Sequence, residues 1–259
     1  LVVCARDQNA LQFVIDGEHP RPHVEINTHA PFNVVDGLTI EAWVRLKEYP
    51  EGQFPPKWQA IVTKGEAWGL TRYSNTNRIA FRTTVGGATH VLAGTETKKL
   101  VSGKWHHVAA VWDGSTKFLY IDGVLDVSEA WDGPPDGNTF HVMIGANEQF
   151  PARAYAGDID DVRVWSTART AAEIATTMRR RLLGSEDGLL GYWRFESVAD
   201  GADGVPDASA NGHHGILHDI DAGAALADDG VLMGAPSPGE YALRFDGTDD
   251  AGANTEQYV

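Results

Sequence analysis

The sequence predicts an all-β protein: an antiparallel two-sheet β-sandwich of the jelly-roll kind, with one short helix. Residues 38–47 alternate apolar and polar side chains over ten positions, which is the pattern of a strand with one buried face. Short runs of the same kind recur along the chain, each bounded by Gly, Asn, Ser or Lys. Many short strands with turn signals at regular spacing favour a sandwich or jelly roll.

The predicted strands follow one another from residue 38 to residue 165. They cover residues 38–47, 59–63, 68–73, 78–83, 89–93, 141–144 and 159–165, with a three-stranded meander over residues 104–126. Turns are predicted at Asp113-Gly114 and Asp122-Gly123, because Asp and Gly tolerate the positive φ of tight turns. A shift of one residue in the pairing of a strand would move each of its side chains to the opposite face of the sheet. The register therefore predicts five mostly buried residues: Trp43, Val108, Trp112, Ile121 and Trp165.

The single helix is predicted from its capping signals. Thr170 and Glu173 form a capping box, and residues 171–178 are good helix formers. Three arginines at residues 179–181 suit the negative end of the helix dipole, and Gly184 is expected to end the helix.

Composition excludes several classes of function. Cys4 is the only cysteine, so no intrachain disulfide forms. A net charge of −15 without a basic stripe argues against nucleic acid as a partner. No apolar run is long enough for membrane insertion. The acidity suits solubility, and the alternative is affinity for divalent cations.

The C-terminal part of the chain differs from the rest. Gly, Asp and Ala become dense between residues 199 and 235, which predicts a boundary between a domain at 1–184 and a segment at 185–259. Two strands are predicted in this segment, at residues 189–196 and 242–245. Their apolar side chains need a partner, so we expect the segment to dock on the main domain.

Five motifs carry a resemblance to a known family. They are residues 39–44 (Thr-Ile-Glu-Ala-Trp-Val), 105–109 (Trp-His-His-Val-Ala), 112–114 (Trp-Asp-Gly), 119–123 (Leu-Tyr-Ile-Asp-Gly) and 157–165 (Gly-Asp-Ile-Asp-Asp-Val-Arg-Val-Trp). This series resembles the laminin G-like, concanavalin A-like jelly-roll domains, with pentraxins as distant relatives, over residues 10–178. Residues 185–259 resemble the opening of another such domain. They are either the start of a second repeat or strands that complete a jelly roll here or in a neighbour.

The resemblance implies calcium as a cofactor. By analogy with the pentraxin site, the ligands would be Glu66, Asn147, Glu148, Gln149 and Asp158. Laminin G domains hold calcium at the sandwich rim instead, which would use Asp113 and Asp132. Zinc is disfavoured at His213-His214, even with His218 nearby, because successive strand residues point to opposite faces.

Aromatic residues in predicted loops are the candidate ligand-binding residues, because glycan modules stack sugar rings on exposed aromatic faces. They are Trp58, Trp68, Tyr73 and Trp131. The other tryptophans that sit in motifs are expected in the core: Trp43, Trp105, Trp112, Trp165 and Trp193.

The leading hypothesis is a non-catalytic binding or adhesion module of a larger surface or secreted bacterial protein. Its partner would be a glycan or a protein surface, and tandem or neighbouring laminin G-like domains are expected. The alternative is a structural spacer or assembly subunit that associates through its C-terminal strands. A polysaccharide hydrolase or lyase is the third hypothesis. It lacks the Glu-x-Asp-x-x-Glu strand motif of the laminarinase-type enzymes, and only Asp158 and Asp160 share one face of a strand.

Overall fold

A computed structural model describes residues 9–13, 21–47, 57–199, 201, 204–219 and 226–227. This part of the chain forms fifteen strands and one α-helix. They are β1 (Ala10–Phe13), β2 (His23–Ile26), β3 (Leu38–Leu46), β4 (Ala60–Lys64), β5 (Trp68–Arg72), β6 (Ile79–Val85), β7 (Ala88–Ala93), β8 (Trp105–Trp112), β9 (Thr116–Ile121), β10 (Val124–Ala130), β11 (Val142–Ile144), β12 (Gly157–Trp165), α1 (Ala171–Thr177), β13 (Leu189–Trp193), β14 (Gly215–His218) and β15 (Leu226–Ala227).

The strands form two antiparallel sheets, which confirms the predicted sandwich. The first sheet has the order β10-β9-β8-β3-β12-β1-β15, with β13 also paired to β12. The second has the order β14-β2-β11-β4-β5-β6-β7. One hydrophobic core lies between them and draws residues from both sheets, such as Ile40 and Val44 from the first and Leu70 and Phe81 from the second.

The predicted register is correct. All five marker residues are at most 8% exposed: Trp43, Val108, Trp112, Ile121 and Trp165. The meander over residues 104–126 forms as β8, β9 and β10. Its second turn has Asp122 and Gly123 at φ +51° and +75°, the two positive φ values that a type I′ hairpin requires.

The prediction that β3 is half-buried is wrong, because its outer face is also covered. Thr39, Glu41 and Trp43 alternate with the core residues, yet each is at most 1% exposed. The chain that follows β12 packs on this face, where the Trp43 indole N–H donates to the Met178 carbonyl at 2.7 Å. The first sheet is therefore buried on both sides at its centre.

The helix begins as predicted and ends earlier. Thr170 and Glu173 form both hydrogen bonds of the capping box, but α1 ends at Thr177 rather than near Gly184. At this end the Thr177 carbonyl accepts the backbone N–H of Arg180 at 2.9 Å, and the Arg163 guanidinium donates to the carbonyls of Thr177 and Arg180 at 3.0 and 2.7 Å. A side chain of the sheet thus binds the carbonyls at the end of the helix.

The C-terminal segment adds strands to both sheets. β13 pairs with β12, as expected for a strand at residues 189–196, and β14 pairs with β2. Trp193, Phe195 and Val205 lie in the main core. The division of the chain at residue 184 stays a prediction, and the strand predicted at 242–245 lies outside the described residues.

Candidate functional site

The two loops that the resemblance assigns to calcium do lie side by side. The turn between β4 and β5 carries Glu66, and the loop after β11 carries Asn147, Glu148 and Gln149. The Asn147 side-chain amide donates to the Gly65 carbonyl at 2.7 Å, and the Glu66 backbone N–H donates to Gln149 Oε1 at 2.6 Å. The Glu66 turn is therefore in direct contact with the loop that carries Asn147 and Gln149.

Their oxygens, however, are already engaged. Asn147 Oδ1 accepts the backbone N–H groups of Gln149 and Phe150, both at 3.0 Å, and Glu148 Oε2 accepts the N–H of His141 at 2.8 Å. Two guanidinium groups hold the Glu66 carboxylate, Arg153 at 2.6 Å and Arg82 in a short contact. Calcium needs six to eight oxygen ligands and a surplus of negative charge, so this site does not fit it.

Asp158 is not part of this loop pair. It lies on β12 of the first sheet and is 6% exposed. One carboxylate oxygen accepts from Arg45 Nε at 2.7 Å and the other from the Gln12 amide at 3.2 Å. Asp160, its neighbour on the same strand face, is 3% exposed. The prediction of Asp158 as a calcium ligand is therefore wrong. The acidic pair of Asp158 and Asp160 also offers no open carboxylate to a polysaccharide.

The alternative rim site is occupied by a turn. Asp113 Oδ1 accepts the backbone N–H groups of Ser115 and Thr116, at 3.0 and 2.8 Å, and so closes the loop between β8 and β9. These hydrogen bonds lower the pKa of Asp113 against the opposing effect of its partial burial. Asp132 is exposed. The described residues bring no further carboxylate of a predicted calcium set to Asp113.

Trp68 is wrong as a ligand-binding residue, because it is 1% exposed and belongs to the core. It is the first residue of β5 rather than part of a loop. Its indole N–H donates to the Phe32 carbonyl at 3.0 Å, so the polar atom is satisfied inside the protein.

Trp131 is half-buried but lies at a different place from the other candidates. Its ring stacks on His90 with centroids 4.1 Å apart, and the Lys117 ammonium lies 4.9 Å from the ring centroid. These contacts join β7 of one sheet to β9 and the end of β10 in the other. Trp131 closes the open edge of the sandwich and packs against the main core.

Trp58 and Tyr73 do come together. Their rings make an edge-to-face contact at 5.0 Å, and both residues are half-buried. The Trp58 backbone N–H donates to the Ser74 carbonyl at 3.0 Å, which ties the two chain segments. Trp58 has φ +61°, in the left-handed region that disfavours a bulky side chain. Strained non-glycine residues concentrate at functional sites, where the strain holds a side chain in a required position.

Charged residues extend the aromatic pair across the outer face of the second sheet. Phe81 points into the core, so its neighbour Arg82 on β6 points outward. The Arg82 guanidinium lies 5.2 Å from the Trp58 ring centroid and also binds Glu66. Glu66 in turn binds Arg153, whose guanidinium lies 3.8 Å from the ring centroid of the 39% exposed Phe150.

We call this continuous set of side chains the outer-sheet patch. It consists of Trp58, Glu66, Tyr73, Arg82, Phe150 and Arg153. Two guanidinium groups and one carboxylate give it an excess of one positive charge, in a chain whose net charge is −15. Partial burial and the nearby Arg82 lower the pKa of Arg153 from its ordinary value.

Sequence reasoning missed Arg82, Phe150 and Arg153. For Arg82 a signal existed, because the alternation along residues 78–83 places it opposite the apolar Phe81. No local signal marks Phe150 and Arg153, which reach the patch from the loop between β11 and β12.

A cleft of about 410 Å³ beside α1 is a less suitable site. Its polar groups are engaged in ion pairs and hydrogen bonds within the protein. Arg169 pairs with Glu173 at 3.3 Å and covers the Trp165 ring at 4.2 Å, while the Glu186 carboxylate accepts the backbone N–H groups of Leu183 and Gly184 at 2.6 and 2.8 Å. This cleft joins the helix to the C-terminal segment.

Two antiparallel sheets around one core define a jelly-roll β-sandwich, and one of its outer faces carries an aromatic and charged patch. Comparison with known families agrees with this class. The sequence profile of the concanavalin A-like lectin/glucanases superfamily, in its laminin G group, matches residues 16–175. The chain therefore belongs to this superfamily.

Several solved structures share the fold. A Bacteroides ovatus protein with a provisional assignment as carbohydrate-binding is 20% identical, with a TM-score of 0.67 over 88% of this chain and 61% of its own. A heptameric pentraxin of Limulus polyphemus is 17% identical, with a TM-score of 0.51 over 66% of this chain and 81% of its own. The CBM40 of a Ruminococcus gnavus sialidase, bound to α2,3 sialyllactose, is 14% identical, with a TM-score of 0.50 over 66% of this chain and 98% of its own.

At these identities the similarities establish the fold. The chain spans about 61% of the length of the Bacteroides ovatus structure. Comparison with curated protein sequences gives no significant match. In the described part of the chain, no helix has the length and apolar character to cross a membrane.

Proposed function

We propose that this chain is a non-catalytic carbohydrate-binding module that acts outside the cell or at its surface and binds glycan through the outer-sheet patch. The observation that carries the proposal is Trp58. A bulky residue in a left-handed backbone conformation costs about 1–2 kcal/mol relative to an ordinary one. Phe195 adopts the same conformation with its ring in the core, whereas the Trp58 ring is half-buried at the surface, where a sugar ring could pack on it.

The patch has the chemistry that glycan binding requires. A sugar ring packs its C–H face on an aromatic surface, and its hydroxyl groups exchange hydrogen bonds with charged side chains. Trp58, Tyr73 and Phe150 supply aromatic surface, while Arg82 and Arg153, both held by Glu66, supply hydrogen-bond donors. The Arg–Glu–Arg contacts fix these groups before binding, so little side-chain entropy remains to be lost. The excess positive charge favours a glycan that carries a carboxylate or sulfate group.

The comparisons support the proposal by analogy. The structural relatives include a protein assigned as carbohydrate-binding and a module bound to a sialylated sugar. Fold does not determine function, so the analogy adds weight and does not identify the ligand. The wider setting, a longer surface or secreted protein with neighbouring domains, belongs to the proposal. Assembly through the C-terminal strands stays an alternative prediction.

A glycan array tests the proposal. The wild-type protein is applied to neutral and acidic glycans, with calcium and with a chelator, beside Trp58→Ala, Arg153→Gln and Trp131→Ala. We expect binding to a limited set of glycans, about tenfold or greater loss in the first two variants, and retention in Trp131→Ala, the matched half-buried tryptophan outside the patch. Silence across a broad array would contradict the proposal, and loss in Trp131→Ala alone would move the site to the sandwich edge.

A further inference from the structure

Three potential metal ligands meet at the edge of the second sheet, away from the core. His218 on β14 is the direct cross-strand neighbour of His23 on β2, and Glu25 lies two residues further along β2. Val24 and Ile26, which alternate with them, point into the core, so His23 and Glu25 share the outer face. One ligand atom of each of the three residues lies within 4.8 Å of the other two.

The two imidazole rings lie face to face at this sheet edge. Their rings stack with centroids 4.8 Å apart and planes 13° apart. Nε2 of His218 has no hydrogen-bond partner among the described residues although the atom itself is buried, and it lies 4.0 Å from a Glu25 oxygen. An orphaned buried nitrogen facing a carboxylate and a second imidazole is costly unless a further group binds there.

The His23 ring already has the orientation that metal ligation needs. Its Nδ1 lies 2.7 Å from the Arg21 carbonyl, which can only accept, so this nitrogen carries the proton. Nε2 of a neutral ring is then left with its lone pair. Such a hydrogen bond from the second nitrogen to a carbonyl is the usual support of a ligating histidine.

The surrounding groups favour a cation. His141 Nδ1 lies 3.8 Å from the other Glu25 oxygen and 3.3 Å from Glu148, and Asp219 is close enough to act electrostatically on His23. Three carboxylates therefore surround three imidazoles, and Lys64 acts electrostatically on one of these carboxylates, Glu148. The His218 side chain is 40% exposed, so an ion can enter from solvent.

We propose that His23, Glu25 and His218 bind one divalent transition-metal ion of the zinc class. Two imidazole nitrogens and one carboxylate are typical zinc ligands, whereas calcium prefers oxygen alone. Small rotations of the three side chains bring the ligand atoms to the roughly 2 Å bonds of zinc, with water at the fourth position.

This site would join two parts of the chain that are distant in sequence. His23 and Glu25 belong to the main sandwich, and His218 belongs to the C-terminal segment, on an edge strand. A bound ion would therefore clamp β14 onto β2. Sequence reasoning considered His218 only with its neighbours His213 and His214, because nothing in the sequence indicates that β14 pairs with β2.

Titration of metal-free protein with Zn²⁺, followed by calorimetry and by the visible absorption of Co²⁺, tests the proposal. We expect one ion per chain and a rise in Tm of about 5 °C at a hundredfold excess over Kd. His23→Gln and His218→Gln should each weaken binding by about 10- to 100-fold, while the matched control His29→Gln binds as the wild type does. Circular dichroism of each variant verifies folding.

The results of this titration either support the metal site or overturn it. Loss of the single site in both cluster variants, with folding retained, supports the proposal. Absence of Zn²⁺ and Co²⁺ binding at millimolar concentration overturns it, and so does binding that persists unchanged in the doubly substituted His23→Gln/His218→Gln protein. If either single variant fails to fold, Glu25→Gln replaces it, with the same expected loss.

Discussion

Trp58 and Trp68 show how far one residue can be interpreted from sequence. Both are tryptophans near predicted turns, ten positions apart, and both were predicted to bind ligand. Trp68 begins β5 with its ring in the core, whereas Trp58 lies in the turn before β4 at positive φ. The difference depends on where the strand starts, and strand ends are the least certain part of a sequence-based assignment.

The two tryptophans should respond differently to substitution. Trp68→Ala removes a fully buried ring and should lower the free energy of unfolding by about 3–5 kcal/mol. Trp58→Gly removes a half-buried ring but relieves the left-handed backbone, so stability should change by less than about 1 kcal/mol. Urea unfolding followed by circular dichroism measures both. Equal destabilisation by the two substitutions would mean that Trp58 is a packing residue and not a strained surface residue.

Lys117 should make stability depend on pH. Its side chain lies at the edge of the sandwich near His90 Nδ1, at 3.2 Å, and the Trp131 ring. Burial lowers the pKa of Lys117 to about 7. Between pH 7 and about 10 the unfolded chain therefore holds a proton that the folded protein has released, so stability rises with pH in this window.

Comparison with Lys117→Met isolates this contribution. We expect the Tm of the wild type, relative to that of Lys117→Met, to increase as pH rises from 7 to 10. The two proteins are melted in matched buffers at constant ionic strength. A Tm difference that stays constant across this range, or falls, would contradict the assigned pKa.

At the scale of elements, local patterns predicted most strands and the start of α1. Alternation located β3 and β12, and turn residues located the β8–β10 meander, because these signals are contained within a few residues. The outer covering of β3 and the early end of α1 could not be predicted. They depend on contacts such as Arg163 with Thr177 and Trp43 with Met178, and the Trp43–Met178 contact in particular joins residues far apart in sequence.

The candidate site was predicted less completely for the same reason. The pairing of the loops at Glu66 and Asn147 followed from the family resemblance. Their charge balance did not, because Arg82 and Arg153 arrive from β6 and from a loop after β11. Two arginines on one carboxylate remove the surplus of negative charge that a calcium site needs.

The strand β13 should be part of the cooperative unit. Trp193 is fully buried in the main core, and its indole N–H donates to the His213 carbonyl at 2.9 Å. Trp193→Ala should lower the free energy of unfolding by about 3–5 kcal/mol in one transition, while the exposed Phe150→Ala should change it by less than about 1 kcal/mol. Two separate transitions, or a wild-type midpoint for Trp193→Ala, would mean that the C-terminal segment folds independently.

At the scale of the whole molecule, the two sheets have different outer faces. The first is covered at its centre by α1 and the chain that follows it, with Glu41, His107, Asp161 and Arg163 buried there. The second carries the outer-sheet patch and, at its β14–β2 edge, the proposed metal site. Binding is therefore expected on the second sheet.

Calcium should have no effect on the loops that carry Glu66 and Asn147. Their oxygens accept internal hydrogen bonds, and two arginines neutralise the carboxylate. Addition of millimolar calcium should shift the Tm by less than about 1 °C relative to the chelated protein. A saturable rise in Tm that is lost in Glu148→Gln would restore the calcium site implied by the family resemblance.

The most direct test of glycan binding through the outer-sheet patch is NMR mapping with the best glycan from the array. Isotope-labelled protein is titrated, and the indole signals of Trp58 and Trp131 are followed together with the side-chain signals of Arg82 and Arg153. Our account predicts saturable shifts at Trp58, Arg82 and Arg153, with Trp131 unchanged. Shifts confined to Trp131 and its neighbour His90, or no shifts at all, would contradict it.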